Sequence, residues 1–205
     1  MMVKNYEEEA FKVISRFIAL SLTPDRLMKI GAFVVCYGQF ETTLERALWT
    51  LKEVDVKGIR PFTEKLASDK WFECLGEGNH KLTEECNAVL KEASLTALDL
   101  SNYRNSLIHG YLLPIGDTPS FLRNPAWHGE KRNKSSGDAY IEEPLLDLAI
   151  LSAWTLLRLV RLTEKVFEDE TAESAIIQMA SDIREARSFS SELRYLRDLM
   201  NYEKY

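Results

Sequence analysis

The chain has few of the residues on which several common kinds of site depend. It contains three cysteines, which are scattered and never form a Cys-x-x-Cys pair, and only three histidines in 205 residues. An odd, scattered set of cysteines argues against a disulfide framework or a zinc site, and favours reduced thiols in a cytoplasmic protein. No group of Asp, Glu and His has the spacing of a metal site, and no glycine-rich phosphate loop is present. We therefore expect no metal and no cofactor.

Long apolar runs and an excess of basic charge are also missing. No apolar run approaches the roughly 18–20 residues that a membrane span needs. Residues 1–10 are rich in Glu and lack the basic-then-apolar layout of a signal peptide. The formal net charge is −6, whereas proteins that bind long duplex nucleic acid usually carry a basic excess. The sequence therefore predicts neither a membrane partner nor a duplex DNA partner, although a local basic site can still bind RNA.

Helical periodicity dominates the pattern of apolar residues. Thr23 and Pro24 form a helix start, with an N-cap candidate followed by proline at the first helical position. Gly110 follows a long periodic segment at the place where a C′ glycine stops a helix. Four arginines near the C-terminus, Arg184, Arg187, Arg194 and Arg197, alternate with acids and predict a solvated face. The predicted helices cover residues 7–20, 24–51, 61–75, 82–109, 143–167 and 172–200.

The segment 111–141 interrupts this helical pattern with prolines and glycines. Short extended pieces are predicted near residues 111–113, 121–122 and 139–141, where they can pair as a hairpin. The fold class is therefore all-α: an antiparallel helical bundle with a small β-hairpin or irregular insertion. We expect one helical domain over residues 1–170, which includes the insertion, and a C-terminal helical appendage over residues 171–205.

The most informative stretch is Tyr103-Arg104-Asn105-Ser106-Leu107-Ile108-His109-Gly110-Tyr111, at the predicted end of a helix. Arginine binds phosphate as a forked, permanently charged donor. Histidine is the side chain best suited to moving protons near neutral pH. Together these residue types favour phosphodiester chemistry.

The spacing from arginine to histidine has little weight alone, because the chain repeats it from Arg123 to His128. Pro125 argues against a helix there, so we interpret that repeat as accidental. On the predicted helix, Asn105 and His109 share a face, whereas Arg104 lies about 140° round and about 7.5 Å along from His109. One copy does not converge on one phosphate, so two copies across a two-fold axis are expected to share a cleft.

Structural interpretations of the same residues compete with the chemical one. His109 can act as a positive cap on the helix C-terminus, which is favourable by about 0.3–1 kcal/mol. Arg104 can pair with an acid, either Asp99 or Glu41, and Asn105 can be a polar rim residue.

Other candidates outside the helix end are weaker. Glu41 and Glu45 can be paired carboxylates, but such acids on a long helix more often form a solvated or salt-bridged edge. The four tryptophans, Trp49, Trp71, Trp127 and Trp154, are expected mostly to pack in the core or the hairpin. Trp127, beside His128, can instead stack an RNA base. Weak RNA-binding candidates are Arg123, Trp127, His128, Lys131 and Arg132.

The helix end resembles the HEPN superfamily, which comprises all-helical domains of toxin–antitoxin, abortive-infection and CRISPR-associated proteins. The family signature is arginine, a polar residue and then histidine, here Arg104, Asn105 and His109. Some HEPN toxins extend it to His-x-Tyr, which Tyr111 matches. The stretch from Tyr37 to Glu45 is also similar to the family's aromatic-x-x-x-Glu helix. The resemblance covers roughly residues 25–167, apart from the insertion after Tyr111, and the minimal toxins lack both that insertion and the C-terminal helix.

The resemblance implies a metal-independent endoribonuclease of a toxin–antitoxin or antiviral defence system, acting as a homodimer through the motif helices. It implies that His109 is a general acid or base and that Arg104 holds the scissile phosphate. It also implies that Asn105 orients His109 or the phosphate. By the same resemblance, Glu41 and Tyr111 would be supporting residues, and the Tyr111 hydroxyl would be a target for modification by a nucleotidyltransferase-like antitoxin. The alternative is a catalytically inactive HEPN-like interaction or regulatory module, which the acidic charge and the extra segments favour.

Overall fold

The structure is a computed structural model that describes residues 5–55, 62–115, 118–123 and 137–203. Helices form most of this part of the chain, and one small sheet interrupts them, which confirms the predicted all-α class. None of the described helices combines the length and the apolar content that crossing a bilayer requires. The elements are α1 Tyr6–Ala19, α2 Pro24–Leu51, α3 Ser68–Glu77, α4 Glu84–His109, β1 Tyr111–Ile115, β2 Thr118–Leu122, β3 Ala139–Tyr140, α5 Glu143–Thr163, α6 Ala172–Gln178 and α7 Ala180–Glu203.

Capping side chains fix the starts of the two long helices that carry the motif residues. The hydroxyl of Thr23 accepts a hydrogen bond from the Arg26 amide at 3.2 Å, and Pro24 occupies the first turn, as predicted. The hydroxyl of Thr83 accepts from the Cys86 amide at 3.3 Å at the start of α4. Each satisfies one of the amides that a helix start leaves without an internal partner.

Two helix predictions need correction. The predicted start of α3 at Pro61 lies outside the described residues, and α3 itself begins at Ser68. The single helix predicted over residues 172–200 is two helices, because the chain breaks at Met179 between α6 and α7. No proline or glycine marks that break. Met179 is buried in the core, so tertiary packing accompanies the break.

The helices do not form the simple antiparallel arrangement that the sequence predicts. Lys29 pairs with Asp147 at 2.8 Å and Arg46 with Glu164 at 3.0 Å, so α2 and α5 run in the same direction. By contrast, α5 and α7 run antiparallel, since residues 158 and 152 of α5 contact residues 182 and 186 of α7 in reverse order. The chain between α2 and α5 includes the sheet that follows α4. This long connection allows α2 and α5 to pack side by side in the same direction.

Large aromatic side chains fill the space between α2 and α4. Phe33 and Tyr37 from α2 are fully buried, and the ring of Phe33 lies 5.8 Å from that of Tyr103 on α4. Apolar burial of this kind is the main force that holds the bundle together. The predicted core packing is wrong for Trp154, which is 47% exposed, and the prediction for Trp127 lies outside the described residues.

The C-terminal helices belong to the same hydrophobic core as the rest of the bundle. Ile176 and Ile183 are buried within it. Arg187 of α7 donates a short hydrogen bond to Asp99 of α4, whose exposure is only 7%, and Arg194 lies 3.5 Å from the same carboxylate. The predicted solvated face is therefore wrong for Arg187, because a buried carboxylate needs a charged partner, whereas Arg194 stays exposed. The domain division at residue 171 stays a prediction.

The insertion after α4 forms a three-stranded antiparallel sheet in the order β1, β2, β3. Tyr111 lies opposite Leu122 in the β1–β2 hairpin, and Ser120 lies opposite Tyr140 in the second pair. The predicted hairpin is confirmed, and a short third strand extends it.

Candidate functional site

The last turns of α4 carry the motif, and we call the residues Arg104, Asn105 and His109 the α4 end. The helix stops because Gly110 adopts an extended conformation with φ −85° and ψ 159°, and its amide bonds the Ser106 carbonyl at 2.9 Å. The predicted helix stop at Gly110 is confirmed, although Gly110 does not adopt the left-handed conformation that is typical of a C′ glycine. Glycine fits for another reason, since a Cβ atom at this position would lie 2.5 Å from the Ser106 carbonyl oxygen and 2.8 Å from Phe121 Cβ.

The sheet holds the α4 end in place through three hydrogen bonds. The Tyr103 hydroxyl donates to the Tyr140 carbonyl at 2.6 Å, and the Ser106 hydroxyl donates to the Gly137 carbonyl at 2.5 Å. Arg123 Nη1 donates to the Asn105 carbonyl at 2.8 Å, in the last turns of α4. The insertion therefore supports the motif helix.

Arg104 is half-buried and engaged by three neighbours. Its Nη2 lies 3.1 Å from Glu41 Oε2, its Nη1 donates to Asn105 Oδ1 at 2.9 Å, and its guanidinium carbon lies 5.9 Å from the centre of the Tyr37 ring. The sequence left two acids open as partners of Arg104. The structure selects Glu41, because Asp99 is bound by α7.

Glu41 is the electrostatic counterpart of Arg104. Burial raises the pKa of the Glu41 carboxyl above its ordinary value, and the charge of Arg104 opposes that shift. Burial also raises the pKa of Tyr37 well above the ordinary range, and the negative charge of Glu41 adds to the effect. The carboxylate of Glu41 is thus less stable here than in water, even with a guanidinium beside it.

His109 and Tyr111 lie on the surface beyond Arg104. His109 is exposed, and no side-chain hydrogen bond or ion pair joins it to Arg104 or Asn105 within the described residues. Tyr111 begins β1 and is 58% exposed. The structure thus brings Arg104, Asn105 and Glu41 into direct contact, and it leaves His109 at the open end of the same helix.

Arg123 is the residue whose position the sequence interpretation missed. It starts the repeat that we took as accidental, yet it contacts the backbone of Asn105. The hairpin register gives the reason, because pairing of Tyr111 with Leu122 brings the next residue after β2 level with Gly110. The other weak RNA-binding candidates, Trp127, His128, Lys131 and Arg132, lie outside the described residues.

Glu45, the second acid of the predicted carboxylate pair, belongs to the interior. It is only 3% exposed and accepts a hydrogen bond from the Thr63 hydroxyl at 2.6 Å. The prediction that Glu45 lies on a solvated edge is therefore wrong, because packing against the segment before α3 covers its side chain. Among the residues that the structure describes, no cluster of three or more His, Cys, Asp or Glu side chains could hold a metal ion.

Comparisons with protein-family models, curated proteins and solved structures give no match to this chain. The functional interpretation therefore depends on the motif and on the geometry of the α4 end.

Proposed function

We propose that this protein is a HEPN-like, metal-independent endoribonuclease whose active site is the α4 end, with a role in a toxin–antitoxin or antiviral defence system. The observation that carries the proposal is the setting of Arg104. An aromatic ring and an amide hold its guanidinium, and its charge is met by the carboxylate of Glu41. A cation held in this way binds phosphate when the phosphate displaces the carboxylate.

The residue types at the α4 end can carry out RNA cleavage without a metal. The 2′-oxygen of the RNA attacks the adjacent phosphorus, and a base removes its proton. The bond from phosphorus to the 5′-oxygen breaks, an acid protonates that oxygen, and the products are a 2′,3′-cyclic phosphate and a 5′-hydroxyl. In this proposal His109 serves as base or acid, Arg104 binds the phosphate oxygens as their charge develops, and Asn105 holds the guanidinium.

A site shared by two chains follows from the helix geometry. Five residues separate Arg104 from His109, which places them about 140° apart around the helix axis. A two-fold dimer would place two sites in the shared cleft, each with Arg104 of one chain and His109 of the other.

An inactive interaction or regulatory module is the second candidate, and the contact between Arg104 and Glu41 favours it. In a single chain that contact occupies one edge of the guanidinium. In such a module the α4 end would serve protein contacts. In either case the exposed Tyr111 offers its ring and hydroxyl to a partner such as a nucleotidyltransferase-like antitoxin.

Cleavage of labelled RNA in the presence of EDTA tests the proposal. We expect the wild-type protein to cut, and Arg104→Ala and His109→Ala each to lower the rate by about 100-fold or more, as for loss of a general acid–base or a charge-stabilising group. His80→Ala is the matched control, because His80 is exposed and precedes α4. Absence of cleavage by the wild type, or equal cleavage by His109→Ala, would contradict the proposal.

A further inference from the structure

Helix α1 carries an apolar face that the rest of its own chain does not cover. No residue of α1 is buried, and Phe11 is 67% exposed. At 100° per residue the apolar side chains lie within one arc of about 160°, in which Glu7 is the one charged residue. The members of this face are Tyr6, Ala10, Phe11, Val13, Ile14, Phe17 and Ile18.

The connection from α1 to α2 fixes the direction in which this helix leaves the bundle. Ser21 adopts a left-handed conformation with φ 65°, its amide bonds the Ile18 carbonyl at 3.0 Å, and the Leu22 amide bonds the Phe17 carbonyl at 3.1 Å. This pair of bonds is a Schellman motif. Leu22 is buried, and Arg26 Nη1 donates to the Ser21 carbonyl at 2.7 Å. Folding α1 back onto its own bundle would break these contacts.

A second exposed apolar surface lies where α2 and α5 run side by side. The pairs Lys29–Asp147 and Arg46–Glu164 are both 118 residues apart, so the same offset places Cys36 level with Trp154. Val35 is 62% exposed, and Gly31 has open space where a side chain would be. We call this surface the α2–α5 face, and its exposed members are Met28, Gly31, Ala32, Val35, Leu151 and Trp154.

Charge and length make α1 complementary to the α2–α5 face. The first turn of α1 is acidic, with Glu7, Glu8 and Glu9, and its last turn carries Arg16. On α5 the order is the same: Asp147 lies near the start and Arg161, which is exposed, lies near the end. Both α1 and the span from Asp147 to Arg161 are about 21 Å long. An antiparallel α1 would therefore match acids with bases at both ends.

We propose that a second copy of this chain is the occupant of the α2–α5 face, with α1 of each protomer packed antiparallel to α5 of its partner. Reciprocal exchange closes the contact around a two-fold axis. An anionic membrane surface fits α1 less well, because three glutamates precede its two basic residues and such surfaces attract basic helices. The surface involves neither Arg104 nor His109, so the inference stands or falls separately from the proposed nuclease.

Sedimentation velocity on the full chain measures the association. We expect a dimer, and we expect Phe17→Glu or Trp154→Glu to raise the dimer dissociation constant by at least about 30-fold, as for loss of a central aromatic contact. Tyr195→Glu is the matched control, since it puts the same charge at an exposed aromatic position on α7 and should leave the dimer unchanged. A wild-type monomer, or a dimer insensitive to both variants, would overturn the inference.

Cross-linking separates exchange between chains from folding back within one chain. Ile14→Cys places a thiol on α1, and the half-buried Cys36 of the α2–α5 face is the expected target of a short bismaleimide. We expect a covalent dimer that disappears when Cys36→Ser is added, with RNA cleavage recorded in parallel. A cross-link confined to the monomer, or a covalent dimer that persists with Cys36→Ser, would contradict the exchange whatever the cleavage result.

Discussion

The Arg104 guanidinium is held by Glu41 Oε2, Asn105 Oδ1 and the Tyr37 ring, within 5.9 Å at most. Each contact restricts the long arginine side chain, whose freedom would otherwise oppose the binding of any ligand. The carboxylate also competes with an incoming phosphate for the same charge. At the scale of single residues, Glu41 is therefore both a support for Arg104 and its competitor.

Replacing Glu41 by Gln should strengthen RNA binding. The amide keeps the shape of the side chain and removes its negative charge, so Arg104 becomes more available to phosphate. We expect the affinity for a 2′-deoxy RNA analogue, which cannot be cleaved, to rise by about three- to tenfold at neutral pH. Fluorescence anisotropy measures this, with Glu85→Gln on the exposed first turn of α4 as the control. Equal affinities for wild type and Glu41→Gln would contradict the expectation.

The raised pKa of Glu41 adds a pH dependence to the same experiment. Because folding raises the pKa of Glu41, its neutral form stabilises the folded protein. This contribution to the free energy of unfolding is fully present below the ordinary glutamate pKa of about 4.3 and is lost as pH rises through the higher folded-state pKa. As pH falls through that folded-state pKa, Glu41 loses its charge and releases Arg104. The affinity advantage of Glu41→Gln should therefore shrink with falling pH. An advantage that stays constant from neutral pH to pH ~4.5 would argue against competition by Glu41.

Residue-level partners were only partly predictable from the sequence. The pairing of Arg104 with Glu41 is one of two alternatives that the sequence leaves open. The partner of Asp99 is Arg187, 88 residues away, and no local pattern connects them. Helical periodicity places a residue on a face but does not say which helix covers that face. The sequence therefore predicts neither the contact of Asp99 with α7 nor the burial of Glu45.

At the scale of elements, the insertion and α4 form one unit. Hydrogen bonds from α4 reach the third strand and Gly137, two residues before it, and Arg123, just after β2, bonds back to the helix. Gly110 lies where the helix passes into β1, pressed against Phe121. The position of the motif residues therefore depends on the fit at this glycine.

Gly110→Ala should destabilise the protein although its backbone conformation suits alanine. The added Cβ would collide with the Ser106 carbonyl and Phe121, and such overpacking costs about 1–3 kcal/mol. Gly38→Ala is the matched control: nothing lies within 4 Å of its Cβ position in the middle of α2, so it should stabilise by about 0.5–1 kcal/mol. Urea unfolding measures both changes. A neutral Gly110→Ala would show that the helix end adapts freely.

Elements were more predictable than their arrangement. Capping residues and breakers in the sequence predict the starts of α2 and α5 and the extended character of the insertion. The break at Met179 and the parallel course of α2 and α5 come from contacts between segments distant in sequence, such as Lys29 with Asp147. Local propensity carries no information on such contacts.

At the scale of the whole molecule, the bundle presents three features that its own chain leaves open. Arg104 and His109 lie on different sides of one helix end, α1 leaves the bundle with its apolar face exposed, and the α2–α5 face is uncovered. We propose a second copy for each: one would complete the proposed cleft at the α4 end, and, as a separate contact, one would cover the apolar surfaces. Single-chain periodicity predicts the helices that form these surfaces, but only the packed structure shows which stay uncovered.

The most direct test of the proposed shared nuclease site is complementation between two inactive variants. Arg104→Ala and His109→Ala chains are unfolded together, refolded as a mixture and assayed for RNA cleavage in EDTA beside each variant alone. Half of the dimers should be mixed, and each mixed dimer keeps one site with an intact arginine from one chain and an intact histidine from the other. We predict recovery of about a quarter of wild-type activity. A mixture as inactive as its two components, with wild type active, would contradict a site shared between chains.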